Sequence, residues 1–305
     1  MEDIYYSHGK LLITGEYAVL DGALSLALPT TYGQSLKISP IEGSSIIWRS
    51  YTNTKEIWFE TSFEPAEIKK KHTHNKTESS VRNTLIKILS EAFLLNPNFL
   101  KESSGLLVET QLDFPRDWGL GSSSTLINNI AQWAEVDAYK LLWLAFSGSG
   151  YDIACAQHKT AITYQIKEGR PMVKEVDFDP DFKDQLYFVH LNQKQNSREG
   201  IAQYRKMEFN TDKLISDIGL ITKKLLTCQD LAEFNILIHE HEKRISNILK
   251  METVKSRLFP EFPGSIKSLG AWGGDFILAT GREESQSFFL DKGYKTIIPF
   301  SDMAL

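Results

Sequence analysis

Two hydrophobic periods alternate along the chain. From Ser7 to Leu28 the string S-H-G-K-L-L-I-T-G-E-Y-A-V-L-D-G-A-L-S-L-A-L carries apolar and β-branched residues broken at Gly9, Gly15 and Gly22, and predicts short strands joined by tight turns. A hairpin is predicted over Ile46–Phe63 around T-N-T-K, and a strand over G-L-L-V-E-T-Q-L-D-F from Gly105. Between them the polar, basic run Lys69–Lys76 reads as a loop. Apolar residues at Val81, Leu85, Ile88, Leu89, Ala92 and Phe93 predict a helix over Ser80–Leu95, stopped before Pro97. Helical spacing returns at Leu126, Ile127, Ile130, Ala131 and Ala134, and again over Ala138–Phe146. The second half predicts strands at Ala161–Ile166, Val173–Phe178 and Leu186–Leu191. Helices follow at Asp212–Leu226 and Leu231–Leu249, the latter with Asp230 and Glu233 in capping-box positions. Pro263–Gly281 reads as strand, glycine turn, strand, followed by a helix at Glu283–Lys292 and a strand at Thr296–Phe300. Strands and helices are interspersed with many hairpins, which favours α+β over a doubly wound parallel sheet.

Length and charge narrow the class. The 305 residues suit one large domain or two packed lobes. A net charge of -5 argues against nucleic acid as the main partner. Two cysteines, Cys155 and Cys228, make neither a disulfide framework nor a metal-ligand spacing, so a reducing compartment is expected. The start M-E-D-I-Y-Y-S lacks the basic and apolar segments of a signal peptide, and no run approaches a membrane span. A cytoplasmic protein with no membrane partner is the expectation.

Candidate chemistry centres on D-W-G-L-G-S-S-S-T-L, Asp117–Leu126. Gly119 and Gly121 allow a tight turn, and hydroxyls at Ser122, Ser123 and Ser124 lead into a helix. Such a helix start carries free N–H groups and a positive dipole end, which favour an anion, phosphate above all. A serine-capped helix after a glycine turn gives the same string. The lysine of a Walker loop is missing, and so is the Rossmann spacing. A second glycine turn, S-G-S-G-Y-D-I-A from Ser147, puts Asp152 at the start of a helical segment, where in isolation an ordinary cap aspartate is the first reading. Lys10 stands at a strand end after Gly9; a solvated surface lysine is the alternative. The string H-E-H-E at 239–242 invites a metal reading, but His239 and His241 point about 200° apart on a helix, against one site.

Three glycine-rich elements in this order resemble those of the GHMP kinases. H-G-K-L-L-I-T-G-E-Y-A-V-L-D-G is similar to the first motif, P-R-D-W-G-L-G-S-S-S to the second, and I-K-S-L-G-A-W-G-G-D to the third. Ser149, Gly150 and Asp152 are similar to the S-G-x-D turn of the mevalonate and phosphomevalonate branch. The resemblance implies an α+β fold of two lobes with the active site between them. The amino-terminal one (1–166) would be ribosomal protein S5 domain 2-like and ATP-binding, the carboxy-terminal one (167–305) ferredoxin-like. It implies ATP phosphates around Gly119, Leu120, Gly121, Ser122, Ser123 and Ser124, Mg²⁺ on Ser123, and Asp152 and Lys10 as the catalytic pair, Lys10 holding Asp152 ionised. The acceptor side is expected at Glu16, Ser149, Gly150, Ser197, Gly270 and Ala271. His8 replaces the usual proline, and Trp272 interrupts the third glycine run. Leu141 stands near the place of a Mg²⁺-binding glutamate of mevalonate kinases, while Gly273–Asp275 favours the phosphomevalonate branch. The implied activity is ATP-dependent phosphorylation of a small acidic metabolite, mevalonate- or phosphomevalonate-like, in isoprenoid biosynthesis, by a monomer or homodimer. The alternatives are a sugar or homoserine-like acceptor, or a catalytically weak nucleotide-binding regulator.

Overall fold

The computed structural model of the protein describes residues 2–69, 80–100, 105–193, 197–270 and 272–305, with the backbone alone for Ser197 and Arg198. All but the first residue of the predicted Lys69–Lys76 loop lies outside the described residues. The chain forms two compact units that interleave along the sequence: 1–9, 32–116 and 121–157 in the first, 10–31, 117–120 and 158–305 in the second. The expectation had placed a single boundary between 166 and 167.

The first unit takes the start of β1 (Asp3–Leu12) and the second half of β2 (Ser25–Ile41), then β3 (Ile46–Tyr51), β4 (Ile57–Phe63), α1 (Pro65–Lys69), α2 (Val81–Leu95), β5 (Gly105–Leu112), α3 (Ser122–Trp133), α4 (Ala138–Ala145) and α5 (Tyr151–Gln157). Its strands run in the order β4-β3-β5-β2, with β1 also on β2. β2 pairs antiparallel with β5 from Gln34↔Leu112 to Ile41↔Gly105, and β3 lies parallel to β5. The apolar faces of α2, α3 and α4 cover this sheet, burying Trp48, Leu85, Leu89, Val108, Ile127 and Leu141 in one core. Ser80 caps α2 by accepting from the Asn83 N–H.

β2 runs on where sequence had predicted only short strands. Pro29 falls after the pairing with β6 ends at Ala27 and before that with β5 begins at Gln34, so its missing N–H breaks neither ladder. Gly33 is there for a close approach: a Cβ would lie 2.3 Å from the Ser7 carbonyl and 2.5 Å from the Tyr6 hydroxyl.

In the second unit β2 pairs with β6 (Ile162–Lys167), which turns back into β7 (Arg170–Glu175). The two-residue turn, Glu168 and Gly169, has positive φ at both positions, as a hairpin of this twist requires. Next come β8 (Leu186–His190), α6 (Ser197–Tyr204), α7 (Thr211–Leu225), α8 (Leu231–Leu249), α9 (Val254–Leu258), β9 (Ile266–Ser268), β10 (Phe276–Thr280), α10 (Ser287–Asp291), β11 (Ile297–Pro299) and α11 (Phe300–Met303). A four-stranded antiparallel sheet has the order β11-β8-β10-β9. One core packs Tyr187, Val189, Ile277 and Phe289 against Phe259 and Phe262; another gathers Tyr17, Tyr204, Ile218, Ile245 and Trp272. Asp230 caps α8 through the Glu233 N–H, as its spacing predicted. The short α9 and α11 escape the sequence pattern because each has too few residues for a period.

Candidate active site

The glycine loop has the predicted form. Gly119 (φ +64°) and Gly121 (φ +93°) both lie in left-handed backbone, and Gly121 occupies the N-cap position of the twelve-residue α3 with no side chain capping it. Ser123 is exposed and Ser122 half-buried at the helix start, while Leu120 is buried and pins the turn. Ser124 turns inward, its hydroxyl donating to the Gly121 carbonyl at 2.8 Å. Its hydroxyl therefore shapes the loop. The N-cap residue thus offers no side-chain acceptor to the first α3 N–H groups, the arrangement that receives phosphate oxygens.

The stem of this loop is held within the second unit. Trp118 packs edge-to-face on Phe276, with ring centroids 5.5 Å apart. Lys10 donates its main-chain N–H to the Leu120 carbonyl (2.9 Å) and its ammonium to the Gly119 carbonyl (2.6 Å). Lys10 is thus a clasp on the loop and no solvated surface lysine. Asp275 presses on the same peptide: a Cβ on Gly119 would lie 2.2 Å from its carboxyl, and one on Gly270 3.7 Å. The sequence marks Asp275 through Gly273–Asp275, but its approach to Gly119 is visible only in the structure.

In the first unit Asp152 is the second residue of α5 and stands in its first turn; Gly150 (φ +93°) precedes the helix. Ser149 is buried, and the Trp143 indole N–H donates to the Gly148 carbonyl at 3.3 Å, fastening the turn to α4. Burial pushes the Tyr139 hydroxyl pKa far up, with smaller contributions from Cys155, Asp137 and the Asp152 carboxylate. Leu141 is fully buried in the apolar core of this unit.

Glu16, expected at the acceptor, has a different place. It is fully buried in the second unit, one oxygen accepting from the Lys267 ammonium. Lys267 also reaches Glu242 at 3.1 Å, and Glu242 accepts from the Ser268 hydroxyl (2.7 Å) and the Trp272 indole N–H (3.2 Å). His241 Nε2 accepts the Gly15 N–H at 2.9 Å and lies 3.3 Å from the second Glu16 oxygen. That approach is not an ion pair. Burial first, then Lys267 and Arg244, hold the imidazole neutral, well below 6.5. Burial outweighs Lys267 at Glu16 and lifts its carboxyl from 4.5 to about 7. So the H-E-H-E string supplies a buried charge cluster, with His239 exposed on the other face of α8.

Trp272 adopts positive φ (+50°) where a glycine would be at ease, and turns its ring inward, 1% exposed. The bulky residue thus anchors the third turn. Gly270 (φ +62°) is half-buried. Ala271 lies outside the described residues, and Ser197 begins α6 with its side chain undescribed.

No protein-family model and no curated protein matches the sequence. Solved structures match in fold. Mevalonate kinase from Methanococcus jannaschii matches with a TM-score of 0.69 at 17% identity, over 98% of this chain and 97% of that one. Phosphomevalonate kinase from Streptococcus pneumoniae, in complex with phosphomevalonate and AMPPNP, matches with a TM-score of 0.68 at 15% identity, over 95% of each chain. Galactokinase from Lactococcus lactis, complexed with galactose, matches with a TM-score of 0.69 at 14% identity, over 99% of this chain and 93% of that one. The fold is that of the GHMP kinases, α+β with two sheets, as the three sequence motifs led us to expect.

Proposed function

We propose that this chain is an ATP-dependent small-molecule kinase whose acceptor is a small acidic metabolite, mevalonate- or phosphomevalonate-like, in a cytoplasmic isoprenoid pathway. The observation that carries this reading is the glycine loop. Two left-handed glycines open α3 without a side-chain cap, in a fold shared over its length with kinases. The N–H groups of Ser122 and Ser123 would receive ATP phosphate oxygens, and the exposed Ser123 hydroxyl would serve Mg²⁺. Among the described residues no group of three or more His, Cys, Asp or Glu could hold a metal ion. Mg²⁺ commonly keeps waters and leans on substrate phosphates, so the ion would arrive with the nucleotide and neutralise phosphate charge there.

Phosphoryl transfer is mostly positioning and charge neutralisation. Asp152, in the first turn of α5, is the residue to accept the proton of the acceptor hydroxyl. Lys10 spends one ammonium donor on the Gly119 carbonyl, which fixes the loop, and keeps two for developing negative charge. Ser149 and Gly150 would shape the acceptor turn, with Gly270 on the third.

The full-length likeness to galactokinase supports a sugar acceptor as the second reading. The test is ATP consumption by the purified protein against mevalonate, phosphomevalonate, homoserine and galactose. Turnover on an acidic alcohol is expected. Turnover on galactose alone would move the protein to the second reading. Nucleotide binding with no turnover on any acceptor would make it a regulator.

A further inference from the structure

Behind the glycine loop, amide and hydroxyl side chains of the first unit form one directed chain of hydrogen bonds. Asn128 lies on α3 about one turn after Ser124 and is 1% exposed. Its Oδ1 accepts from Gln157 Nε2 at 2.9 Å, and its Nδ2 donates to Ser7 Oγ at 2.8 Å. Ser7 donates onward to Asn129 Oδ1 at 2.7 Å, and Asn129 Nδ2 donates to the Gln34 carbonyl at 2.9 Å. Thr125 joins the same corner by donating to Gln34 Oε1 at 2.7 Å. Ser7 and Asn129 are fully buried. The chain begins on α5 at Gln157, five residues after Asp152, crosses α3, reaches β1 three residues before Lys10 and ends on β2.

Its direction admits one arrangement. A flip of the Asn128 amide would set two N–H groups face to face at Gln157 and leave Ser7 Oγ, already donating to Asn129, opposite a second acceptor. Holding two helices together needs no such network, since an apolar pair would do so without desolvating Ser7, Asn128 and Asn129. A fully satisfied buried network instead selects a single register between its elements. We infer that Asn128 and Gln157 are positioning residues for phosphoryl transfer: their hydrogen bond sets α5, with Asp152 in its first turn, against α3, whose first turn carries Ser122 and Ser123. This rests on the kinase reading above.

Gln157 is exposed, so Gln157→Met removes the donor at the rim of the network without emptying the core. Gln157→Lys restores a donor, and Asn128→Asp tests the hub. Three measurements separate the outcomes: kcat on the accepted substrate, Kd for the MgATP analogue, and amide hydrogen exchange over Tyr151–Gln157. For Gln157→Met we expect a kcat loss of roughly ten- to a hundredfold, the scale of an ångström-sized misplacement. Nucleotide Kd should stay within about twofold, α5 should exchange faster than in the wild type, and Gln157→Lys should recover most of the rate. Unchanged kcat and unchanged α5 exchange in both Gln157→Met and Asn128→Asp would overturn the assignment. So would a kcat loss in step with nucleotide affinity. A wild-type protein without phosphoryl transfer would defeat the kinase reading instead, and the exchange data would still report whether the network sets α5.

Discussion

Gly119 sits in left-handed backbone with its Cα turned towards the Asp275 carboxyl, its carbonyl held by Lys10. Gly119→Ala therefore meets two obstacles. Left-handed φ costs a side chain about 1 kcal/mol, and the new Cβ would lie 2.2 Å from a carboxyl that is itself 7% exposed. The loop must shift, and we expect nucleotide affinity to fall about tenfold or more with the fold retained, read by equilibrium titration. Adding Asp275→Gly to the same protein should recover part of the loss. An unaltered Kd in the single variant would remove Gly119 from the phosphate site. The glycine turn itself was legible in sequence, because two glycines two apart before a helical period mark a tight turn into a helix start. Asp275 as its neighbour was not, nor was the Lys10 clasp, since the partners lie 109 residues apart for Lys10 and Gly119 and further still for Asp275.

Helix α5 and the third glycine turn carry the element-scale predictions. Asp152 stands in the first turn of a helix preceded by two positive-φ glycines, Gly148 and Gly150. Asp152→Asn keeps the side chain's shape and removes the carboxylate proposed as the base. A fall in kcat of about 10²-fold or more is expected, with ATP affinity nearly intact, and wild-type turnover in the variant would leave Asp152 a structural residue. In the third turn, Trp272→Gly relieves a positive φ worth about 1 kcal/mol and empties a site whose loss of a large aromatic costs about 3–5 kcal/mol. Burial wins. Denaturant unfolding should show a destabilisation of roughly 2–4 kcal/mol, with Glu242 losing a donor; a variant as stable as the parent would deny the anchor. These two elements differ in how much of them sequence reveals. The period of α3, α4 and α8 and the caps Ser80 and Asp230 are local, so the chain announces them. The inward turn of Trp272 depends on Tyr17, Tyr204 and Ile245, which sequence alone does not bring near.

At the scale of the whole molecule, folding of the second unit buries Glu16, His241, Glu242 and Lys267 together, each no more than 2% exposed. Their proton balance makes a prediction about stability against pH. Glu16 titrates near 4.5 when unfolded and at about 7 when folded. The folded state therefore holds a proton there that the unfolded state lacks, and this contribution, present below pH 4.5, is lost as pH rises to about 7. His241 runs the other way: the unfolded chain protonates it below about 6.5, while the folded chain keeps it neutral. Its contribution is present above 6.5 and lost as pH falls. Across about pH 4.5–6.5 the two slopes oppose, since folding takes a proton off His241 and places one on Glu16. Glu16→Gln removes one side of this balance. Lys267, Glu242 and Arg244, the charges that face the pair from β9 and α8, remain in place. The unfolding free energy of the variant, relative to wild type, should rise with pH by about 1.4 kcal/mol per unit between roughly pH 4.5 and 7. His241→Gln should give a difference of the opposite slope below about pH 6.5. Urea unfolding of the three proteins at half-unit steps measures both differences directly. Parallel stability curves for wild type and Glu16→Gln would mean that Glu16 stays ionised in the folded state, with Lys267 overcoming the cost of burial.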